Sequence, residues 1–174
     1  PNPVGGGIVE GPPLDASIRH FTAYFRIPAR YGMTPGELAR WYKTTAGLDV
    51  DLQVVPLQGW SRQMFWPETK RSFIAPSPNI RTATAALLYT GIGMFEASNL
   101  SVGRGTSTPF ERIGAPWIKG DVLATRLNAI GLPGIRFQSE LFEPDSDVYA
   151  QSSCSGVRLE VTDPQTIRPM EVFV

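Results

Sequence analysis

Between Met94 and Trp117 the sequence reads MFEASNLSVGRGTSTPFERIGAPW, and most of its residues suit chemistry better than packing. Two carboxylates, Glu96 and Glu111, flank an arginine, Arg104, that sits between Gly103 and Gly105 among small hydroxyls and amides. No apolar period of 2 or 3.6 runs through the centre, so core packing does not explain the stretch. A long polar loop inside a compact domain is usually functional or disordered. Apolar residues close on both sides (Met94, Phe95, Phe110, Ile113, Trp117) favour an ordered one. A third loop glutamate, Glu10, stands beside glycine and proline in IVEGPP. Two carboxylates across a sugar bond are the equipment of glycoside hydrolysis, one as acid and the other as nucleophile or base. Glycines let backbone N–H groups approach an anion, and a guanidinium grips a carboxylate or phosphate through two parallel bonds. Each glutamate taken singly also suits a solvated charge or a backbone cap. Arg104 also suits a structural salt bridge to Glu96 or Glu111.

Other chemistries find little support. GRGT lacks the Lys-Ser/Thr ending of a phosphate loop and the spacing of a dinucleotide fingerprint. There is no GxSxG elbow. The lone Cys154 and the lone His20 exclude an internal disulfide, a multi-cysteine zinc site and a His-rich metal site. Cys154 reads as a small, partly buried apolar residue. Sixteen basic against sixteen acidic side chains, with a pI near 7.2, lack the positive field that nucleic-acid binding needs. No stretch has the length of a membrane span, and no signal peptide is visible. At 174 residues, 42% of them hydrophobic and 18% charged, the chain can bury a real core as one domain or a domain plus a fragment.

The elements that must hold these residues can be read along the chain. Residues 1–13 are Gly- and Pro-rich and predict loop. Phe21–Ile27 alternates aromatics and predicts a short strand. Thr34 as N-cap, Pro35 at the first helical position and Glu37 closing a capping box start a helix, which Gly47 stops in the left-handed conformation. Leu52–Leu57 predicts a strand that Pro56 ends or places at an edge. Trp60, Phe65, Trp66 and Phe73 suit packing under a loop or a sugar-stacking platform. A second helix is expected near Arg81–Tyr89 with Asn79 as cap, then a strand over Gly91–Glu96. A third helix is expected over Asp121–Ile130, stopped by Gly131 and Pro133, with strands at Ile135–Phe137 and Val157–Val161. The polar segment EPDSDVYAQSSCS joins them as a loop. The sum is α/β to α+β, a mixed sheet with about three helices.

Several blocks, in order, resemble one bacterial family. They are PNPVGGGIVEGPPLD, IPARYGMTPGELARWY, VVPLQGWSRQMFW, PSPNIRTATAALLYTGIGMFEASNLSVGRGTSTPFERIGAPWI, LNAIGLPGIRF and CSGVRLEVTD. Together they look like the exo-β-N-acetylmuramidases, long catalogued as a domain of unknown function. The resemblance spans nearly the whole chain. It implies a Rossmann-like N-terminal domain followed by a smaller α/β domain, with the cleft between them. The implied activity is removal of N-acetylmuramic acid from the non-reducing ends of peptidoglycan glycans, with no metal or cofactor and in an extracytoplasmic setting. The VEGP glutamate falls on Glu10, the first catalytic candidate, and Glu96 is the second, as acid/base partner or sugar-hydroxyl ligand. Asn2, Asn99, Ser101, Arg104, Thr106 and Glu111 are the expected substrate-binding residues, with Arg104 suited to the lactyl carboxylate of muramic acid. Family members begin well before the PNP block and continue past the VTD strand. Residues 1–30 are therefore expected to link to a missing N-terminal domain or second chain, and residues 31–174 to form the C-terminal α/β domain. Many relatives carry Gly and Glu where this chain has Ala97 and Val102, so position 102 supplies no carboxylate here. The competing expectation is a non-catalytic wall-glycan binding module that uses Trp60, Trp66 and Arg104.

Overall fold

The computed structural model describes residues 6–21 and 23–173, with side chains through Val172. The chain divides into two compact units, Pro1–Arg71 and Ser72–Val174. The division thus comes after Arg71, whereas the sequence places a boundary after residue 30.

Among the described residues of the first unit the one α-helix is α1 (Pro35–Thr45), and local chemistry sets its start. The Thr34 hydroxyl accepts from Glu37 N–H at 3.2 Å, and the Glu37 carboxylate accepts from Thr34 N–H at 2.8 Å. Gly47 follows in the left-handed region at φ +61°. Glu37 also holds the Arg62 guanidinium, whose Nη1 donates to Gly32 O at 2.7 Å. The expected strand at Phe21–Ile27 does not form among the described residues; His20 and Ala23 instead exchange backbone bonds of 3.1 and 3.0 Å. Phe25 there packs against the Trp41 and Tyr42 rings of α1. Leu52–Leu57 forms no strand pairing among the described residues. Phe65 is the only buried apolar side chain among the described residues of this unit.

The second unit holds the well-packed core. Helix α2 (Ala83–Ile92) starts at Thr82, whose hydroxyl accepts from Ala85 N–H, so Thr82 rather than Asn79 is the cap. The expected strand at Gly91–Glu96 is helical: α2 runs to Ile92 and a 3₁₀ turn covers Gly93–Ala97. Gly91 is there for close approach, since a Cβ on it would lie 1.9 Å from the Pro169 carbonyl of α4 (Pro169–Phe173). The sheet is antiparallel rather than mixed, in the order β1 (Arg112–Ala115), β3 (Cys154–Val161), β2 (Ile135–Phe142). Helix α3 (Gly120–Ile130) packs on β2 and β3. Its Asn128 side chain bonds both Phe137 O and Phe137 N, at 2.8 and 3.0 Å, and Gly131 stops it at φ +73°. The register pairs Ile113 with Val157 and Phe137 with Leu159, all four buried. Leu88, Ile92, Phe110 and Ile167 are buried in the same core. The second unit is thus a mixed α/β unit with three α-helices, and α1 of the first unit makes four among the described residues.

Two predictions follow from this packing. Gly91→Ala forces a methyl into the Pro169 backbone and should cost roughly 1–3 kcal/mol, read by denaturant unfolding. Arg62 first, and then the Thr34 N–H, hold the Glu37 carboxylate down to about 2 from its ordinary 4.5. A depressed carboxylate stabilises the fold above its ordinary value and loses that contribution as pH falls toward about 2. A carbon-detected NMR titration should place the Glu37 midpoint there, and Arg62→Ala should move it up toward 4.5.

Candidate functional site

The glycine-rich loop of the second unit is closed at its base by backbone. Ser101 and Gly114 exchange bonds of 2.9 and 3.0 Å, and Phe110 N–H donates to Val102 O at 2.7 Å. Phe110 itself adopts φ +66°, uncommon for a bulky residue. The buried Glu111 accepts from the Thr82 hydroxyl at 2.5 Å, which fastens the loop to the start of α2. Gly103 and Gly105 both lie at positive φ and are crowded. A Cβ on Gly103 would meet Arg112 Cγ at 2.5 Å, and one on Gly105 would meet Ser146 O at 2.4 Å. Asp145 N–H donates to Gly105 O at 2.9 Å. The two glycines therefore let the loop dock on the segment between β2 and β3.

That docking fixes Arg104. Its Nε donates to Glu96 Oε1 at 2.5 Å, and Asp147 Oδ2 lies 3.9 Å away. Its guanidinium sits 5.4 Å from the centre of the Phe110 ring. No hydrogen bond from either Nη of Arg104 forms among the described residues. The guanidinium is thus held at its inner nitrogen while its outer fork stays available to an anion. Nearby, Tyr149 OH donates to Asn99 O at 2.8 Å and accepts from Trp117 Nε1 at 3.4 Å. The Trp117 indole is 60% exposed, an apolar face beside polar groups. Asp147, Tyr149 and Gln151 all have positive φ, and strain concentrated in this way is a mark of functional segments.

The expected site residues distribute as follows. Glu96, Asn99, Arg104, Thr106 and Glu111 all lie on this loop and the turn before it. Asn99 is exposed. Thr106 bonds back to Gly103 O at 2.6 Å. Ser101 is buried, and its hydroxyl accepts from Gly103 N–H, so it shapes the loop. Glu10 lies in the first unit, where its carboxylate pairs with Arg30 Nη1 at 2.9 Å, the side chains only 8% and 2% exposed. Asn2 lies outside the described residues. Trp60 and Trp66 line a groove of about 910 Å³ in the first unit. The Trp66 indole N–H donates to Arg71 O, and Arg62 lies 5.7 Å from the Trp60 ring centre. Cys154 is buried, and desolvation raises its thiol above the ordinary value, which suits packing rather than nucleophilic chemistry. Among the described residues no cluster of three His, Cys, Asp or Glu could hold a metal, and no helix is long and apolar enough to cross a membrane. The residues that sequence reasoning missed are Asp147 and Tyr149. They sit in a polar segment with no motif, and their backbone strain leaves no trace in residue type.

Comparison with known proteins gives a consistent result. The family model described as exo-beta-N-acetylmuramidase NamZ, C-terminal, matches residues 87–174, and its N-terminal counterpart matches residues 1–84. The chain is 42% identical over 163 residues to the peptidoglycan beta-N-acetylmuramidase NamZ of Bacillus subtilis (strain 168), covering 94% of this chain and 39% of that protein. It therefore spans well under half the length of that relative. Two crystal structures of DUF1343 family proteins from Bacteroides fragilis NCTC 9343 are similar. One has a TM-score of 0.92 at 31% identity, over 99% of this chain and 46% of the other. The second has a TM-score of 0.71 at 30% identity, over 92% and 42%.

The Tyr149 hydroxyl bridges Asn99 O and the Trp117 indole. Tyr149→Phe should lower stability by about 1 kcal/mol in denaturant unfolding and alter Trp117 fluorescence, since it deletes both hydroxyl bonds. An unchanged spectrum would mean that the bridge does not order the indole.

Proposed function

The chain belongs to the exo-beta-N-acetylmuramidase family, and on that premise we propose that it forms part of a glycosidase that releases N-acetylmuramic acid from the non-reducing ends of peptidoglycan glycans. The observation that carries this reading is Arg104, anchored at Nε by Glu96 with its Nη fork unoccupied among the described residues. Muramic acid differs from other wall sugars by a lactyl carboxylate, and a fixed guanidinium fork fits that group. Trp117 offers the flat apolar face on which a pyranose stacks, and Asn99 an exposed amide for its hydroxyls.

For catalysis, Glu10 is the first assignment. Its carboxylate is held by Arg30 in one orientation, as a nucleophile or base requires. Glu96 is the second, as acid/base partner or sugar-hydroxyl ligand. The whole enzyme is a two-domain protein in this reading. Its Rossmann-like part lies in sequence that relatives carry beyond the matched span, and residues 1–30 lead toward it. In this reading the enzyme acts outside the cytoplasm, where the peptidoglycan wall lies.

The test is release of free N-acetylmuramic acid from a chromogenic muramide by the complete gene product, with Glu10→Gln and Glu96→Gln beside wild type. Removing a general acid/base or nucleophile should cost about 100-fold or more in kcat. Full activity in both variants would remove these catalytic assignments. Calorimetric binding of muropeptides with no release by wild type would instead favour a wall-glycan binding module.

A further inference from the structure

Arg112 stands where a sheet ordinarily seats an apolar residue. It opens β1, whose four residues are all buried, and its side chain is only 10% exposed. Directly across the ladder stands a second arginine, Arg158. Like charges opposed on neighbouring strands weaken a sheet. Arg112 Nη1 lies 3.5 Å from Glu140 Oε1. Yet Arg112 Nε and Glu140 Oε2 are both shut off from water and make no hydrogen bond among the described residues. A buried ion pair bonded so incompletely is a poor source of stability, and an apolar side chain of similar volume serves the fold as well or better. Stability therefore does not explain an arginine at this position, and a local rule broken at a cost points to function.

The glycine-rich loop rests on this side chain. A Cβ on Gly103 would lie 2.5 Å from Arg112 Cγ and 3.0 Å from Cδ, so the arginine stem fills the space a side chain at 103 would need. The guanidinium then reaches the far end of the crown, where Nη2 donates to Thr108 Oγ1 at 2.5 Å. Between these two contacts run the bonds of the crown itself. Thr106 donates to Gly103 O through its N–H at 3.1 Å and its hydroxyl at 2.6 Å, and Thr108 N–H donates to Thr106 Oγ1 at 3.3 Å. Arg104 lies inside the span held in this way. Gly105 is seated on the backbone of Ser146, whereas the seat under Gly103 is a side chain.

We propose that Arg112 is a positioning residue of the Arg104 site. Its stem sets the height of Gly103, and its bond to Thr108 fixes the crown, so that Arg104 meets Glu96 with its outer fork in one place. Arg112 acts through Gly103 and Thr108 and touches no substrate. A crown with two glycines has little stiffness of its own, and a receptor displaced by about 1 Å loses much of its worth. The identity of the group received, the lactyl carboxylate, rests on the glycosidase reading above.

The experiment uses the complete gene product with three substitutions. Thr108→Val keeps the side-chain shape and deletes the acceptor of Arg112. Thr108→Ser restores that acceptor. Arg112→Met keeps a stem under Gly103 without the guanidinium. The first readout needs no substrate: the Arg104 Nε–H resonance in an arginine side-chain NMR spectrum, assigned by its loss in Arg104→Lys. It should move in Thr108→Val and Arg112→Met and return in Thr108→Ser. The second readout is the affinity for N-acetylmuramic acid against N-acetylglucosamine, which should lose about 10-fold of its preference in the first two variants and recover in Thr108→Ser. A lowered Tm in Thr108→Val with the Arg104 resonance unmoved would overturn the inference, because Arg112 would then serve the fold alone. So would a wild-type preference left intact in Thr108→Val. A moved resonance in a protein whose wild type shows no preference would uphold the positioning role and remove the lactyl assignment instead. If Arg112→Met does not fold, Thr108→Val decides.

Discussion

The candidate site depends on how the glycine-rich loop is tied down at both ends. The bridge between Ser101 and Gly114 closes its base on the sheet, and Glu111 fastens its end to the Thr82 hydroxyl at the start of α2. A buried carboxylate with a hydrogen-bond partner holds geometry well, and removing the partner leaves a costly unsatisfied group. With the ends fixed, the positive φ of Gly103 and Gly105 presses the crown against the segment before β3. Arg104 then meets Glu96 and the Phe110 ring. The function of the loop is thus inherited from helix α2 and strand β1 rather than from the loop residues alone.

The second unit is a small antiparallel sheet with helices, and its own interior suffices to position this loop. The first unit is different in kind. Its helix is well capped and its Glu10–Arg30 pair is buried, but its apolar residues are largely exposed. This contrast accords with a family whose members are much longer than the matched span. The two proposed catalytic carboxylates, Glu10 and Glu96, fall on different units.

What the sequence disclosed was the chemistry that acts locally. The capping box of α1 is written in Thr34, Pro35 and Glu37, and the end of α3 in Gly131, because caps and stops depend on neighbouring residues alone. Strand β1 was illegible, since its residues are all buried and owe their conformation to pairing with β3. The strand expected over Gly91–Glu96 does not form, because Gly91 serves the approach of α4 and the helix runs on to Ile92. In the site, the sequence left Arg104 equally suited to Glu96, Glu111 or a ligand. The structure joins it to Glu96 and leaves its outer nitrogens open, while Glu111 serves the helix start. Tyr149 and Asp147 come from a distant segment, and only the fold brings them near.

The central claim is that the Arg104 fork receives the lactyl carboxylate. The most direct measurement is the affinity of the complete gene product for N-acetylmuramic acid against N-acetylglucosamine, with and without Arg104→Ala. Wild type should prefer the muramic sugar, and the substitution should erase about 10- to 100-fold of that preference, the worth of a charge-assisted pair. An undiminished preference in Arg104→Ala would contradict the account.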